Sequence, residues 1–288
     1  MKIDFSQLPD KAPEFDLREL LEVGAHFGHQ VSKWHPQMGE YIYMEKDGVH
    51  IFDLAKTAEQ LRLAYNYAYQ LGSQKKSLLM VGTKRQAREF IKTNAVDAGA
   101  FYITSRWLGG MLTNWNQVSK SLKRMVKLEK GLESGEYDNY TKYERVQFEK
   151  EVNRLRRFFD GVRDLKDTPD AIFVVDPVRE SIVIKEAQSE DVPVIALIDS
   201  NGDPREVAIP IPANDDAMGS IKLIVEAVAA GYKAGRTGKV TATATKAAAK
   251  TDDTSAQAAA KTDDTDDKKE ETAKTEEKKA TPKKESKS

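Results

Sequence analysis

His26 and His29 stand as a His-x-x-His pair, and His35 and His50 follow, so every histidine of the chain falls in its N-terminal part. Imidazole nitrogens at that spacing can ligate zinc, with His35 and an acid completing a tetrahedral set. Phe27 and Trp34 lie among them, and packing, capping or contact with RNA accounts for the same residues. Lys84, Arg85 and Arg88 form a second group behind Gly82. Three cations at a glycine turn suit a phosphate, free or in an RNA backbone; a solvated first helical turn uses them equally well. Asp199 and Asp203 offer carboxylate oxygens to a hard cation, or cap the turn that follows. No base or nucleophile is paired with them in sequence, so a hydrolase would rest on fold alone.

A third stretch, RWLGGMLTNW from Arg106 to Trp115, joins an arginine, two tryptophans and two adjacent glycines. It suits either the lip of a pocket or a surface against which something large sits. Beyond it positive charge gathers. Between Arg106 and Arg163 there are thirteen Lys and Arg against eight Asp and Glu, although the whole chain carries a net charge of −1. A phosphate-rich partner responds to such local concentration rather than to the average. Lys120, Lys123, Arg124 and Lys127 precede Arg154, Arg156 and Arg157 in this segment; a solvated charged face is the alternative.

The elements that must position these groups follow from periodicity. FDLRELLEVGAHFGH reads as a short helix with Leu17, Leu20, Leu21 and Gly24 at helical spacing, YIYMEKDGVHIFDL alternates as two short strands joined at KDG, and AKTAEQLRLAYNYAYQLG is a helix that Gly72 is expected to end. SLLMV, DAIFVVDP and VPVIALIDSNGDP are short runs apolar on both faces, each followed by a turn, with helices between them. Strands of that kind belong to parallel sheets covered by helices. Asn214 or Asp215 can cap a last helix carrying Ile221, Ile224, Val225 and Val228. In the basic segment, Val118, Leu122, Met125, Glu129 and Leu132 share their spacing with Phe148, Val152, Leu155, Phe159 and Val162. Two matching seams around a breaker-rich link predict an antiparallel coiled-coil hairpin projecting from the body.

The expected organisation is an N-terminal arm (1–16), an α/β body (17–116 and 163–236), the hairpin (117–162) and a disordered low-complexity tail (237–288). From Val240 onward the chain holds eleven acids and eleven bases, and this tail cannot bury enough apolar surface to order itself. The absence of cysteine excludes disulfides and thiolate chemistry. Neither a membrane span nor a signal peptide is expected, which points to the cytoplasm.

Six blocks carry a resemblance. LLEVGAHFGHQVSKWHPQM, YIYMEKDGVHIFDL, RWLGGMLTNW, PDAIFVVDPVRE, VPVIALIDSNGDP and IPIPANDDAMGSIKLI, in this order, resemble the uS2 family of small-subunit ribosomal proteins over residues 15–235. His26, Phe27, Gly28 and His29 match the family's HFGH; Arg106 to Gly110, Thr113 and Asn114 match its RWLGG and LTN. His35 departs from a frequent asparagine, Trp115 from a common phenylalanine, and the tail is not a shared element.

The resemblance implies a Rossmann-like body with a protruding coiled-coil hairpin, binding of 16S ribosomal RNA and neighbouring small-subunit proteins, and help in retaining protein S1. It implies no catalytic step, cofactor, metal or small-molecule substrate, and the hairpin marks bacterial and organellar members. The RNA-binding residues expected are Arg106, Asn114, Lys120, Lys123, Arg124, Lys127, Arg154, Arg156 and Arg157, with Lys84, Arg85, His26, His29 and Lys33 on the body. Trp107 and Leu108 would anchor their stretch to the body while Gly109 and Gly110 turn it into the hairpin. A nucleotide or sugar-phosphate enzyme using residues 82–86 and 199–203, and an adaptor recruiting only proteins, remain alternatives.

Overall fold

Five short strands, β4 (Leu78–Val81), β5 (Phe101–Ile103), β6 (Ala171–Val175), β7 (Val194–Ile198) and β8 (Ile209–Pro212), form a parallel sheet in the order β5-β4-β6-β7-β8. The structure is a computed structural model and describes residues 8–238. The first residues of the expected arm and nearly all of the expected tail lie outside them. Register is continuous: Met80 faces Phe173, and Phe173 faces Ile195. Successive side chains point to opposite faces, which explains why the central strands are apolar throughout. Leu78, Met80, Phe173, Ile195 and Ile209 enter one core with α2 (Leu54–Ser73), α3 (Arg88–Ala98) and α7 (Met218–Thr237). Leu79, Val81, Ile172, Val174 and Ala196 enter the other with α6 (Ser181–Ser189).

Strand β8 was absent from the sequence reading because Pro210 and Pro212 occupy it. Proline cannot donate to a ladder and is tolerated at a sheet edge, where β8 lies. Gly72 does not end α2, which runs to Ser73. It is a contact instead: a Cβ there would strike the Tyr232 carbonyl, and one at Gly235 of α7 would strike the Tyr69 carbonyl. These glycines let α2 and α7 lie backbone to backbone.

Before the sheet comes α1 (Leu17–Glu22), capped by Asp16, whose side chain accepts from the Arg18 N–H. A separate antiparallel sheet follows, with β3 (Val49–Phe52) between β1 (Phe27–Gln30) and β2 (Ile42–Lys46). Asp47 and Gly48 both adopt positive φ, 54° and 75°, the pairing that a two-residue hairpin turn requires. β1, FGHQ, falls where the end of a helix was expected; that helix stops at Glu22, and Gly24 at φ 73° turns the chain into the strand.

The basic segment forms α4 (Trp115–Ser134) and α5 (Lys142–Phe159). Gly135, at φ 77°, ends the first, and a reciprocal Thr141–Glu144 capping box starts the second. Leu122 and Met125 pack in one cluster with Leu155 and Phe159, whereas Leu128 and Leu132 pack with Phe148 and Val152. Early α4 thus meets late α5, and the helices run antiparallel. Their roots share the core on one sheet face, and Leu128, Tyr137 and Val152 form a separate cluster farther along. Leu128, outside the expected seam, is buried beside Glu129.

Candidate functional site

The loop RWLGGMLTNW is organised by one carboxylate that the sequence reading did not single out. Glu186 of α6 is buried and accepts from the Trp107 indole N–H at 3.1 Å and the Gly110 N–H at 2.7 Å on one oxygen. Its second oxygen accepts from the Leu112 N–H at 2.9 Å, with the Thr113 N–H and hydroxyl at 3.4 and 3.5 Å. Trp107, Met111 and Leu112 are buried in the core behind it. The loop is therefore a clamped base for α4, and Arg106, Thr113 and Asn114 on it are exposed.

The ends of the parallel strands form the crevice in which open α/β sheets usually hold ligands. Here Lys84 lies among acids that follow the strand ends. The residue is only 8% exposed, and its ammonium meets Asp215 at 2.7 Å, Asp176 at 3.6 Å, and Asp216. Burial alone would lower its pKa; the hydrogen bonds to Asp215 and Asp216 outweigh that and raise it. Burial pushes Asp215 up to about 7, with Asp176 and Asp199 adding repulsion and Lys84 opposing. Asp176 itself sits at φ 64°, a conformation uncommon for a side-chain-bearing residue. Lys84 and Arg85 also precede α3 rather than opening it. Lys84, for which a phosphate contact was expected, sits in an internal ion cluster, while Arg85 is exposed. Nearby, Thr83 donates to Glu180, whose pKa burial raises.

The histidines separate. The His29 ring approaches Asp199 at 2.9 Å, and this hydrogen bond raises its pKa against the effect of burial. Asp199 also accepts from the His29 and Ser200 backbone N–H groups, so it ties the three-stranded sheet to the end of β7. His35 caps a short turn by accepting from the Gln37 N–H and lies 4.0 Å from Asp203. Arg205 draws Asp203 down to about 2. His50 is buried beside Trp34, and burial lowers the pKa of His26. Among the described residues, the set whose ligand atoms converge is His29, Asp199 and Asp215, within 4.8 Å of one another; neither His26 with His35 nor Asp199 with Asp203 converges in this way. Lys33 is exposed.

On the hairpin the cations divide into two kinds. Arg124 makes a two-pronged contact with Glu151 at 2.8 and 3.0 Å, and Arg156 and Arg163 both bind the buried Glu129. These arginines are struts between the helices and their root. Lys120, Lys123, Lys127, Arg154 and Arg157 are exposed and have no acidic partner at ion-pair distance among the described residues. Lys123, Lys127 and Lys166 border a groove of about 770 Å³ with Leu122, Val126 and Leu165 among its walls. Such a surface is complementary to polyanions, and nothing in it resembles a reacting constellation.

Residues 20–235 match the family described as Ribosomal protein S2. The chain is also 44% identical over 220 residues to the small ribosomal subunit protein uS2 of Dictyoglomus turgidum, a span of 76% of this chain and 89% of that protein. The chain belongs to the ribosomal protein S2 family. Ribosomal protein S2 is a structural, non-enzymatic part of the small ribosomal subunit. Two acids now read as groups that fix its loops: Glu186, which the sequence did not single out, and Asp215, expected as a helix cap but bonded instead to Lys84. Glu186 had left a signal: it lies at helical spacing from Val183 and beside Ala187 on the buried side of α6.

Proposed function

We propose that this chain, a structural constituent of the small ribosomal subunit in the cytoplasmic ribosome, binds 16S ribosomal RNA through its hairpin and adjoining body surface. The residues 117–162 act as the hairpin unit on a body of 17–116 and 163–236. Lys120, Lys123, Lys127, Arg154 and Arg157 supply phosphate contacts, with Arg85, Arg106, Asn114 and Lys33 on the body. The observation that carries this reading is the division of hairpin cations into arginine struts and unpaired, solvent-facing charges. Unpaired cations gain most from phosphate because no internal partner is lost. Arg124 and Arg156 reach RNA only in addition to their struts, and His26 and His29 serve chiefly to hold the N-terminal sheet. Recognition is by backbone and shape. The remaining faces meet neighbouring ribosomal proteins and help retain protein S1, a role supported by family membership.

Sedimentation of a lysate, with this chain followed across the gradient, tests the reading. Co-migration with the small subunit and loss from that position after ribonuclease is the expected result. Migration unchanged by ribonuclease would overturn RNA binding, and small subunits that keep S1 after removal of this chain would overturn the S1 role.

A further inference from the structure

A second basic surface lies where the body meets the root of the hairpin. A cleft of about 470 Å³ opens between the end of β5 and the turn that follows α5, bordered by Lys92, Tyr102, Thr104, Arg157, Asp160 and Arg163. Its shape depends on Gly161, where any Cβ would run into the Tyr102 carbonyl and ring. Only glycine lets the turn close so tightly on the strand.

The charges around this cleft are unequal in availability. Arg163 is engaged by Glu129. The Tyr102 hydroxyl donates to Asp160 at 3.4 Å. The Ser105 hydroxyl donates to the Arg157 carbonyl at 2.7 Å, which ties the chain leaving β5 to the end of α5. Lys92 and the Arg157 guanidinium are exposed and have no ion-pair or hydrogen-bond partner among the described residues. They come from different elements, α3 and α5, and both line the cleft. Arg106, another exposed cation, follows Ser105 directly.

We infer that this cleft is a phosphodiester-binding site in which Lys92 and Arg157 flank the sugar-phosphate backbone of ribosomal RNA as it passes from the body to the root of the hairpin. The inference rests on the RNA-binding reading and adds to it a contact, Lys92, that belongs to neither the hairpin nor the loop beside it. A backbone fits better than a nucleobase, because the cleft supplies charge at two points and its aromatic ring, Tyr102, is held against Asp160 and Gly161. Arg157 is suited to paired contact with phosphate oxygens, and Lys92 acts as a point charge.

The test uses small subunits stripped of this chain, titrated with the full-length protein at several salt concentrations. The wild type is expected to bind with a steep salt dependence. A Lys92→Gln/Arg157→Gln variant is expected to lower the slope of log affinity against log salt by about 1.5, as the loss of two phosphate contacts requires. The charge-preserving Lys92→Arg/Arg157→Lys variant is expected to retain the wild-type slope, which separates loss of charge from misfolding. A steep slope unchanged in the glutamine variant would overturn the cleft while leaving RNA binding intact. Wild-type binding insensitive to both salt and ribonuclease would overturn the two together.

Discussion

The carboxylate of Glu186 accepts the indole N–H of Trp107 at 3.1 Å, across 79 positions of sequence. One acid from α6 thereby satisfies a buried aromatic donor and, with its other bonds, the backbone of a glycine turn. The turn is the point from which α4 departs, so the direction of the hairpin is set by a residue of the opposite half of the chain.

Replacing Glu186 with alanine leaves the Gly110 and Leu112 N–H groups and the Trp107 indole without an acceptor. Each buried donor without a partner costs about 1 to 3 kcal/mol, so with three of them the replacement should lower stability by about 3 kcal/mol or more in urea unfolding. Trp107 fluorescence should shift to the red in the same variant. Glu186→Gln keeps one acceptor oxygen and is expected to fall between. Wild-type stability in Glu186→Ala would show that the clamp contributes nothing.

Gly235→Ala tests the close approach of α2 and α7. Its methyl group would meet the Tyr69 carbonyl, and neither backbone can move without disturbing the core. A loss of about 1 to 3 kcal/mol is expected, despite the better helix propensity of alanine. A stabilised variant would mean that the two helices separate readily.

The acid cluster at the strand ends predicts a pH dependence of definite sign. Asp215 rises from 3.8 to about 7 on folding, so the folded chain holds a proton that the unfolded chain releases. Its contribution to stability is complete below 3.8 and lost as pH rises through about 7. His29 is raised from 6.5 by its bond to Asp199; its contribution is complete below that value and likewise lost as pH rises through the folded one. Between about pH 5 and about pH 8 the urea midpoint of the wild type should therefore fall more than that of Asp215→Asn, which lacks the first contribution. Equal falls would remove Asp215 from the account.

Much of the fold was legible because it follows from local pattern. Runs such as AIFVV and VIALI are apolar at every position, and only a sheet covered on both faces uses such strands. The seam spacing of Val118, Leu122 and Met125 likewise marked an interhelical face. β8 escaped because its prolines argue against a strand until its place at the edge is known. The candidate site was legible in charge but not in partnership. Lys84 and Lys120 look alike in sequence. The first is enclosed by carboxylates, one of them 131 positions away, and the second faces solvent. Arg124 and Arg157 differ for the same reason, since a strut forms only when a facing helix presents an acid.

The distance in sequence between the clamped loop and Glu186 also has a temporal side. Gly110 and its acceptor are 76 positions apart, which at about 5 to 20 residues per second is several seconds of polypeptide synthesis. Throughout that interval the root of α4 has left the ribosome without the group that orients it, and its lysines are exposed on a half-made chain amid abundant RNA.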